Sequence, residues 1–175
     1  MTSPRVVRFA QLESKLWRNG LGVTRTIRPM SDGGGWALSI ATLERPAEFS
    51  IMPRAQRVQL AIESVQLVID GVETILGPRE QVRFSGDQQV TGSASASSAR
   101  VLNVIAREAF PLFEVAVVRH PDEVGEGAVA VVVLDGSLRL GGDELGPLDT
   151  VLLEGVGQVQ RFGGVGVFAV VRRLT

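Results

Sequence analysis

The residues best suited to chemistry lie in one short run, Leu16-Trp17-Arg18-Asn19-Gly20-Leu21-Gly22-Val23-Thr24-Arg25. Trp17 offers a flat apolar wall with one N–H donor. Asn19 carries both a donor and an acceptor and tolerates left-handed turns. Gly20 and Gly22 let a ligand approach the backbone closely. Thr24 adds a hydroxyl, and Arg25 can grip a carboxylate through two parallel hydrogen bonds. The same residues would serve a β-bulge or a tight turn carrying a packed Trp. Arg57 opens a later strand just after Phe49-Ser50-Ile51-Met52-Pro53. If that strand lines a barrel mouth, Arg57 is a second anion clamp; otherwise it is a surface arginine. Ser39 shares a strand face with Ala37 and Ala41, opposite Leu38 and Ile40. That face of small residues either leaves room for a ligand or packs closely.

Several chemistries are set aside by composition. The chain has no cysteine, which removes disulfides, zinc–thiolate sites, iron–sulfur clusters and a thiol nucleophile. Its one histidine, His120, sits beside Pro121 and Asp122. One imidazole cannot make a histidine-rich transition-metal site, so no metal is expected. A site for a hard cation built from carboxylates alone stays open, although the acidic residues show no calcium-loop spacing. A Ser-His-Asp triad would have to use His120, and no Gly-x-Ser-x-Gly elbow accompanies it. Gly20-Leu21-Gly22 lacks the third glycine of a dinucleotide fingerprint. With 18 basic and 19 acidic residues and no basic block, nucleic acid is not an expected partner. No apolar run approaches the ~20 residues that span a bilayer. Met1 to Ala10 lacks the apolar stretch of a signal peptide, so the expected location is cytoplasmic.

The elements that must position these residues read as strands. Val23 to Ile27 and Trp36 to Leu43 alternate. Arg57 to Ile62, Val65 to Ile69, Val82 to Phe84, Val101 to Ile105 and Phe113 to Val118 continue the pattern. Ala128 to Leu134, Ser137 to Leu140, Thr150 to Leu153, Gln158 to Phe162 and Val165 to Val171 follow. Asp70-Gly71 signals a hairpin turn. No segment holds a helical apolar period over three turns, so the fold class is all-β. Ser31 to Gly35 and the serine- and glycine-bearing stretch Ser85 to Ala99 read as loops. A weak internal repeat runs through the chain at constant offset. Leu76-Gly77-Pro78, Val82, Gly86, Gln89 and Val90 recur as Leu145-Gly146-Pro147, Val151, Gly155, Gln158 and Val159. It reads either as a duplicated unit, with the halves meeting near residues 110–125, or as ordinary reuse of turn chemistry.

At these residues the chain resembles the HutD/Ves family. That family opens with approximately Trp-Lys/Arg-Asn-Gly-Gly-Gly-x-Thr-x-Glu-Ile, matched by Trp17-Arg18-Asn19-Gly20-Leu21-Gly22-Val23-Thr24-Arg25-Thr26-Ile27. Later blocks match Trp36, Leu38-Ser39-Ile40-Ala41, Phe49-Ser50, Arg57, Phe84-Ser85-Gly86-Asp87, Leu102-Asn103-Val104 and Arg107. Leu21 stands where the family has its middle glycine, and Thr26 where it has glutamate. The resemblance implies a bicupin: a double-stranded β-helix built twice in one compact chain. The halves would be residues 1–110, a barrel carrying the motifs, and 111–175, with strands exchangeable between them. It gathers Trp17, Asn19, Gly20, Thr24, Arg25, Ser39, Arg57 and Asn103 around a pocket in the first half. Metal-dependent cupins use two or three histidines and a glutamate, which this chain cannot supply, so no metal and no other cofactor is expected.

Some relatives are encoded with histidine-degradation enzymes, which implies a regulatory or sensing protein binding a small polar or carboxylate metabolite. The alternative is a metal-independent isomerase or lyase using Glu44, Glu48 or Glu63 on a sugar or organic acid. Edge strands in such folds can pair between subunits, so a homodimer is a further expectation.

Overall fold

The computed structural model of the protein describes residues 3–154 and 160–174. The chain forms two compact units, Glu13–Leu112 and a second built from Met1–Leu12 with Phe113–Thr175. Strand β1 (Arg5–Val7) lies in the second unit because it pairs with a strand near the C-terminus, Arg5 opposite Leu152. Arg8 reinforces this join through Asp149 at 3.0 Å. Among the described residues there is no α-helix, and none of the short helical turns is long and apolar enough to cross a membrane.

The unit Glu13–Leu112 holds β2 (Lys15–Leu16), β3 (Gly22–Arg28), β4 (Trp36–Leu43), β5 (Ala47–Glu48) and β6 (Ala55–Ala61). It continues with β7 (Val65–Ile69), β8 (Val72–Leu76), β9 (Gln81–Ser85), β10 (Val90–Ala94) and β11 (Ala99–Arg107). One sheet runs β2-β3-β4-β11-β6-β9 and the other β5-β10-β7-β8. Between them lies a core of Leu43, Ala61, Val65, Leu67, Phe84, Val90 and Val101. The all-β, cupin-like class expected from the sequence is the one observed. The sheets stay open and pack face to face, with no hydrogen-bonded closure into a barrel.

The second unit is built from β1, β12 (Phe113–Val118), β13 (Ala128–Leu140), β14 (Asp143–Leu145), β15 (Thr150–Leu152) and β16 (Gly163–Arg173). Its sheet runs β1-β15-β13-β16-β12, with β14 hairpinned onto β13. Val131, Val133, Leu138, Val151, Phe168 and Val170 fill its core. His120 is exposed and precedes a short 3₁₀ turn, Pro121–Val124.

Local chemistry explains the joins. Asp70 and Gly71 both take positive φ, 47° and 82°, as a two-residue hairpin turn requires. Two expectations change. Val90–Ala94, read as part of a loop, is a strand because β5 and β7 both pair with it. The segments Ala128 to Leu134 and Ser137 to Leu140 are one strand, bulged between Val133 and Asp135. Of the expected strand Gln158 to Phe162, residues 160–162 are not in a strand and the others lie outside the described residues.

The repeat has a structural counterpart. Gly77-Pro78-Arg79-Glu80 and Gly146-Pro147-Leu148-Asp149 are the same turn. Each has a non-glycine residue at positive φ, Arg79 at 73° and Leu148 at 70°. In each, the acidic fourth residue accepts from the glycine amide, at 2.8 Å from Glu80 and 3.1 Å from Asp149. Each turn also clasps a strand of its own unit. The amide of Arg79 donates to the Ala61 carbonyl and that of Leu148 to the Val133 carbonyl, both at 2.7 Å. Gly155, Gln158 and Val159 of the second copy lie outside the described residues.

Two stability predictions follow from this scaffold. Gly136 has φ 78°, and a Cβ there would sit 2.1 Å from the Val165 carbonyl oxygen. Gly136→Ala is expected to cost about 1–3 kcal/mol in chemical denaturation. Gly142→Ala, which meets open space, should stay within about 0.5 kcal/mol. Glu63 accepts hydrogen bonds from the Arg100 amide at 2.7 Å and from its guanidinium. Burial alone would raise the Glu63 pKa, but the Arg100 hydrogen bonds and charge outweigh it and hold it below the ordinary 4.5. Its stabilising contribution is therefore full above about pH 4.5 and fades as pH falls through the lower folded-state value. Melting temperature measured against pH should accordingly fall less steeply in acid for Glu63→Gln than for the native chain.

Candidate functional site

In β4, β11 and β6 the odd-numbered side chains point between the two sheets of the Glu13–Leu112 unit, since successive residues alternate faces. At one end of this face Leu43, Ala61 and Val101 belong to the core. Further along, the same face turns polar. Ser39, Asn103 and Gln59 stand directly opposite one another across the three strands. Next to them comes Arg57, opposite Ile105. The core stops where the polar side chains begin, and a cavity of about 500 Å³ opens there. It is also lined by Lys15 to Asn19, Thr24 and the segment Glu48 to Met52 except Ile51.

Arg57 is the central cation. Only 8% of its surface is exposed, and no carboxylate lies within ion-pairing distance among its described contacts. Its guanidinium sits 5.0 Å from the Phe84 ring centroid and 5.6 Å from that of Phe49. Phe84 is its cross-strand neighbour on β9. Phe49 reaches it because position 92 on β10 is glycine: a Cβ there would lie 2.6 Å from the Phe49 ring. One guanidinium nitrogen donates to the Ser50 carbonyl at 3.3 Å, while the buried Nε has no partner among the described residues. Burial lowers the Arg57 pKa to about 10, so it remains a cation at neutral pH. Ring faces recover part of the lost hydration. A buried, unpaired donor still costs about 1–3 kcal/mol.

Gln59 and Asn103 form a buried amide pair. Gln59 donates from Nε2 to Asn103 Oδ1 at 2.7 Å, and its own Oε1 has no partner among the described residues. Gln59 is 1% exposed and Asn103 6%.

The opposite wall is the turn between β2 and β3. The Gly20 amide donates to the Trp17 carbonyl at 2.9 Å, and the Trp17 amide to the Gly22 carbonyl at 2.9 Å. Asn19 Oδ1 accepts from the Leu21 amide at 3.0 Å, and its Nδ2 donates to the Glu48 carbonyl at 3.4 Å. Asn19 thus shapes the wall it also lines. Trp17 donates from Nε1 to the Thr24 hydroxyl at 2.7 Å and meets Phe49 edge to face at 5.5 Å. Gly22 permits this, since a Cβ there would crowd the Trp17 ring at 3.0 Å.

The structure brings Trp17, Asn19, Thr24, Ser39, Arg57 and Asn103 to one cavity. Gly20 and Arg25 do not line it. Gly20 supplies the positive φ of the turn, 69°. Arg25 follows Thr24 on β3, and alternation sends it to the other face, beside Ile40. Of the two motif departures, Leu21 has no positive φ that would demand glycine, and it packs on the core. Thr26 is exposed and does not line the cavity.

Sequence reasoning did not assign Gln59, Phe84, Lys15 or Arg18 to the site. The available signal for Gln59 was its place two residues from Arg57 on a strand. Of the three glutamates weighed as acids or bases, Glu48 lines the cavity, Glu63 is held by Arg100, and Glu44 is outside the lining. The lining thus sets three cations, Lys15, Arg18 and Arg57, against one carboxylate. Among the described residues, no three His, Cys, Asp or Glu side chains come close enough to hold a metal ion.

Two cupin-like all-β units, one of them enclosing a cation-rich cavity, define the class. The chain belongs to the HutD family: the family model described as HutD matches residues 9–165. It is similar to protein Ves of Citrobacter koseri, 31% identical over 134 residues, which cover 72% of this chain and 70% of that protein. It is also similar to an uncharacterized 21.2 kDa protein in the hutC 3′ region of Pseudomonas putida. That match is 31% identical over 112 residues, 60% of this chain and 59% of that protein. In fold it is similar to the solved structure of HutD from Pseudomonas fluorescens SBW25. The TM-score is 0.79 at 24% identity, over 97% of each chain.

The two tryptophans separate the site from the core. Trp17 is half-buried in the cavity wall, whereas Trp36 is 0% exposed. Acrylamide should quench most of its accessible emission through Trp17. Trp17→Phe is expected to remove that quenching, and Trp36→Phe to leave it intact.

Proposed function

We propose that the protein binds a small polar carboxylate in this cavity, without metal, and serves a sensing or regulatory role linked to histidine utilisation. The carrying observation is Arg57: a buried cation, flanked by two phenyl rings, with no carboxylate partner and an unpaired Nε among the described residues. A carboxylate from outside would supply the missing charge and acceptors in one group, through the parallel geometry that guanidinium favours. Trp17 and Phe49 provide apolar wall, and Lys15 and Arg18 add positive charge at the exposed rim. Apolar wall combined with aimed polar groups is the pattern of a small-molecule site. The histidine-utilisation link draws on family membership and on the relative named for the hutC 3′ region.

The test is a thermal-shift titration with urocanate, N-formylglutamate and acetate. A ligand at ~100-fold excess over its Kd should stabilise the native chain by about 2.7 kcal/mol. Arg57→Ala should abolish the response while leaving the ligand-free stability within about 1 kcal/mol, because truncation relieves an unpaired buried donor as it opens a void. A carboxylate response retained by Arg57→Ala would refute the proposal, as would no response to any of the three acids at millimolar concentration.

A further inference from the structure

The cavity contains a second uncompensated group that anion binding at Arg57 leaves untouched. Gln59 Oε1 is buried, has no partner among the described residues and belongs to a residue that lines the cavity. Its direction is fixed from behind. The Gln59 amide nitrogen is committed to Asn103 Oδ1 at 2.7 Å, and Asn103 stands on β11 between two paired strands. The oxygen is therefore a held acceptor. Gln59 and Arg57 lie two residues apart on one face of β6, so their Cα atoms are about 6.7 Å apart along the strand. A group that ion-pairs with Arg57 and a group that donates to Gln59 can belong to one small molecule.

We infer that the ligand is a small carboxylic acid that also carries an N–H or O–H donor a few bonds from its carboxylate, and that Gln59 reads this donor. The inference rests on the carboxylate reading given above. It adds a requirement that an anion clamp alone would not impose. An unbranched fatty acid satisfies Arg57 and leaves Gln59 Oε1 buried without a donor. A hydroxy acid or an N-acyl amino acid satisfies both. Sites built to hydrogen-bond a ligand discriminate strongly against analogues that lack the matching group, because the protein atom is then left unpaired.

Two matched ligand pairs test this by calorimetric titration. N-acetylglycine and levulinate differ by replacement of N–H with CH2, and lactate and propanoate by replacement of O–H with H. In at least one pair the native chain should bind the donor-bearing member about tenfold or more tightly. Gln59→Met, unbranched like glutamine, should bring that ratio to about one while leaving the affinity for the donor-free member within about threefold. Gln59→Leu is the second variant should the first fail to fold by melting. A ratio near one for both pairs in the native chain overturns the inference, and so does a ratio that survives in a folded Gln59 variant. If the native chain binds none of the four acids, nor acetate, the carboxylate reading itself fails. Binding without discrimination removes only the role of Gln59.

Discussion

A guanidinium buried without a counter-charge is the constraint around which the Glu13–Leu112 unit is organised. Other arginines in the chain show what structural closure looks like. Arg100 is held by Glu63, Arg8 by Asp149 and Asp143, and buried Arg28 donates to the carbonyls of Pro29, Gly33 and Trp36. Among the described residues Arg57 has a single backbone carbonyl and two ring faces. Its pKa, lowered to about 10 by burial, expresses the same deficit in electrostatic terms. Removing a charge from water without a partner is expensive, and the fold absorbs that cost through rigid surroundings. β6 is paired on both sides, by β11 and β9, so the strand cannot turn Arg57 outward. Gly92 makes space for Phe49, and Gly22 makes space for the Trp17 ring that braces Phe49 from the far side.

The strands were largely legible because alternation and turn chemistry are local. Trp36–Leu43, Val65–Ile69 and Phe113–Val118 have the bounds expected, and Asp70-Gly71 makes the hairpin its dipeptide signals. What stayed hidden depends on partners distant in sequence. Val90-Thr-Gly-Ser-Ala94 carries little to bury and reads as a loop. It is a strand because β5 and β7 flank it, and its glycine answers to Phe49, more than forty positions earlier. The single strand β13 reads as two because Gly136 and the bulge beside it mimic a turn.

At the cavity, the residue types were readable and their facing was not. Thr24 and Arg25 are neighbours on a strand, so alternation allows only one of them to face the cavity, and the side of the strand that is occupied depends on pairing with β4. Gln59 escaped notice because a glutamine in a strand is ordinary. Its meaning comes from Asn103 opposite it and Arg57 two positions away, and both relations require the register. Asn19 was readable as a ligand contact, and it does line the cavity, but both ends of its amide are engaged in holding the wall.

The duplicated turn allows the two units to be compared position by position. The turns clasp Ala61 in one unit and Val133 in the other, through the same pair of backbone hydrogen bonds. Two residues before Ala61 stands Gln59, and two before Val133 stands Val131. Across the sheet, Gln59 meets Asn103 and then Ser39, while Val131 meets Val170 and then Ala116. One scaffold therefore carries a row Ser-Asn-Gln, and the other carries Ala-Val-Val at the corresponding places. The apolar row is the buried core of its unit, with Val131 and Val170 both at 0% exposure. Apolar side chains at these positions are thus compatible with the architecture and fill it without polar atoms to satisfy. A polar row in the other unit is not demanded by the backbone. It replaces core contacts with amides and a cation that keep buried atoms without hydrogen-bond partners among the described residues, and stability alone gives no reason for that exchange. The carboxylate site proposed above would supply that reason.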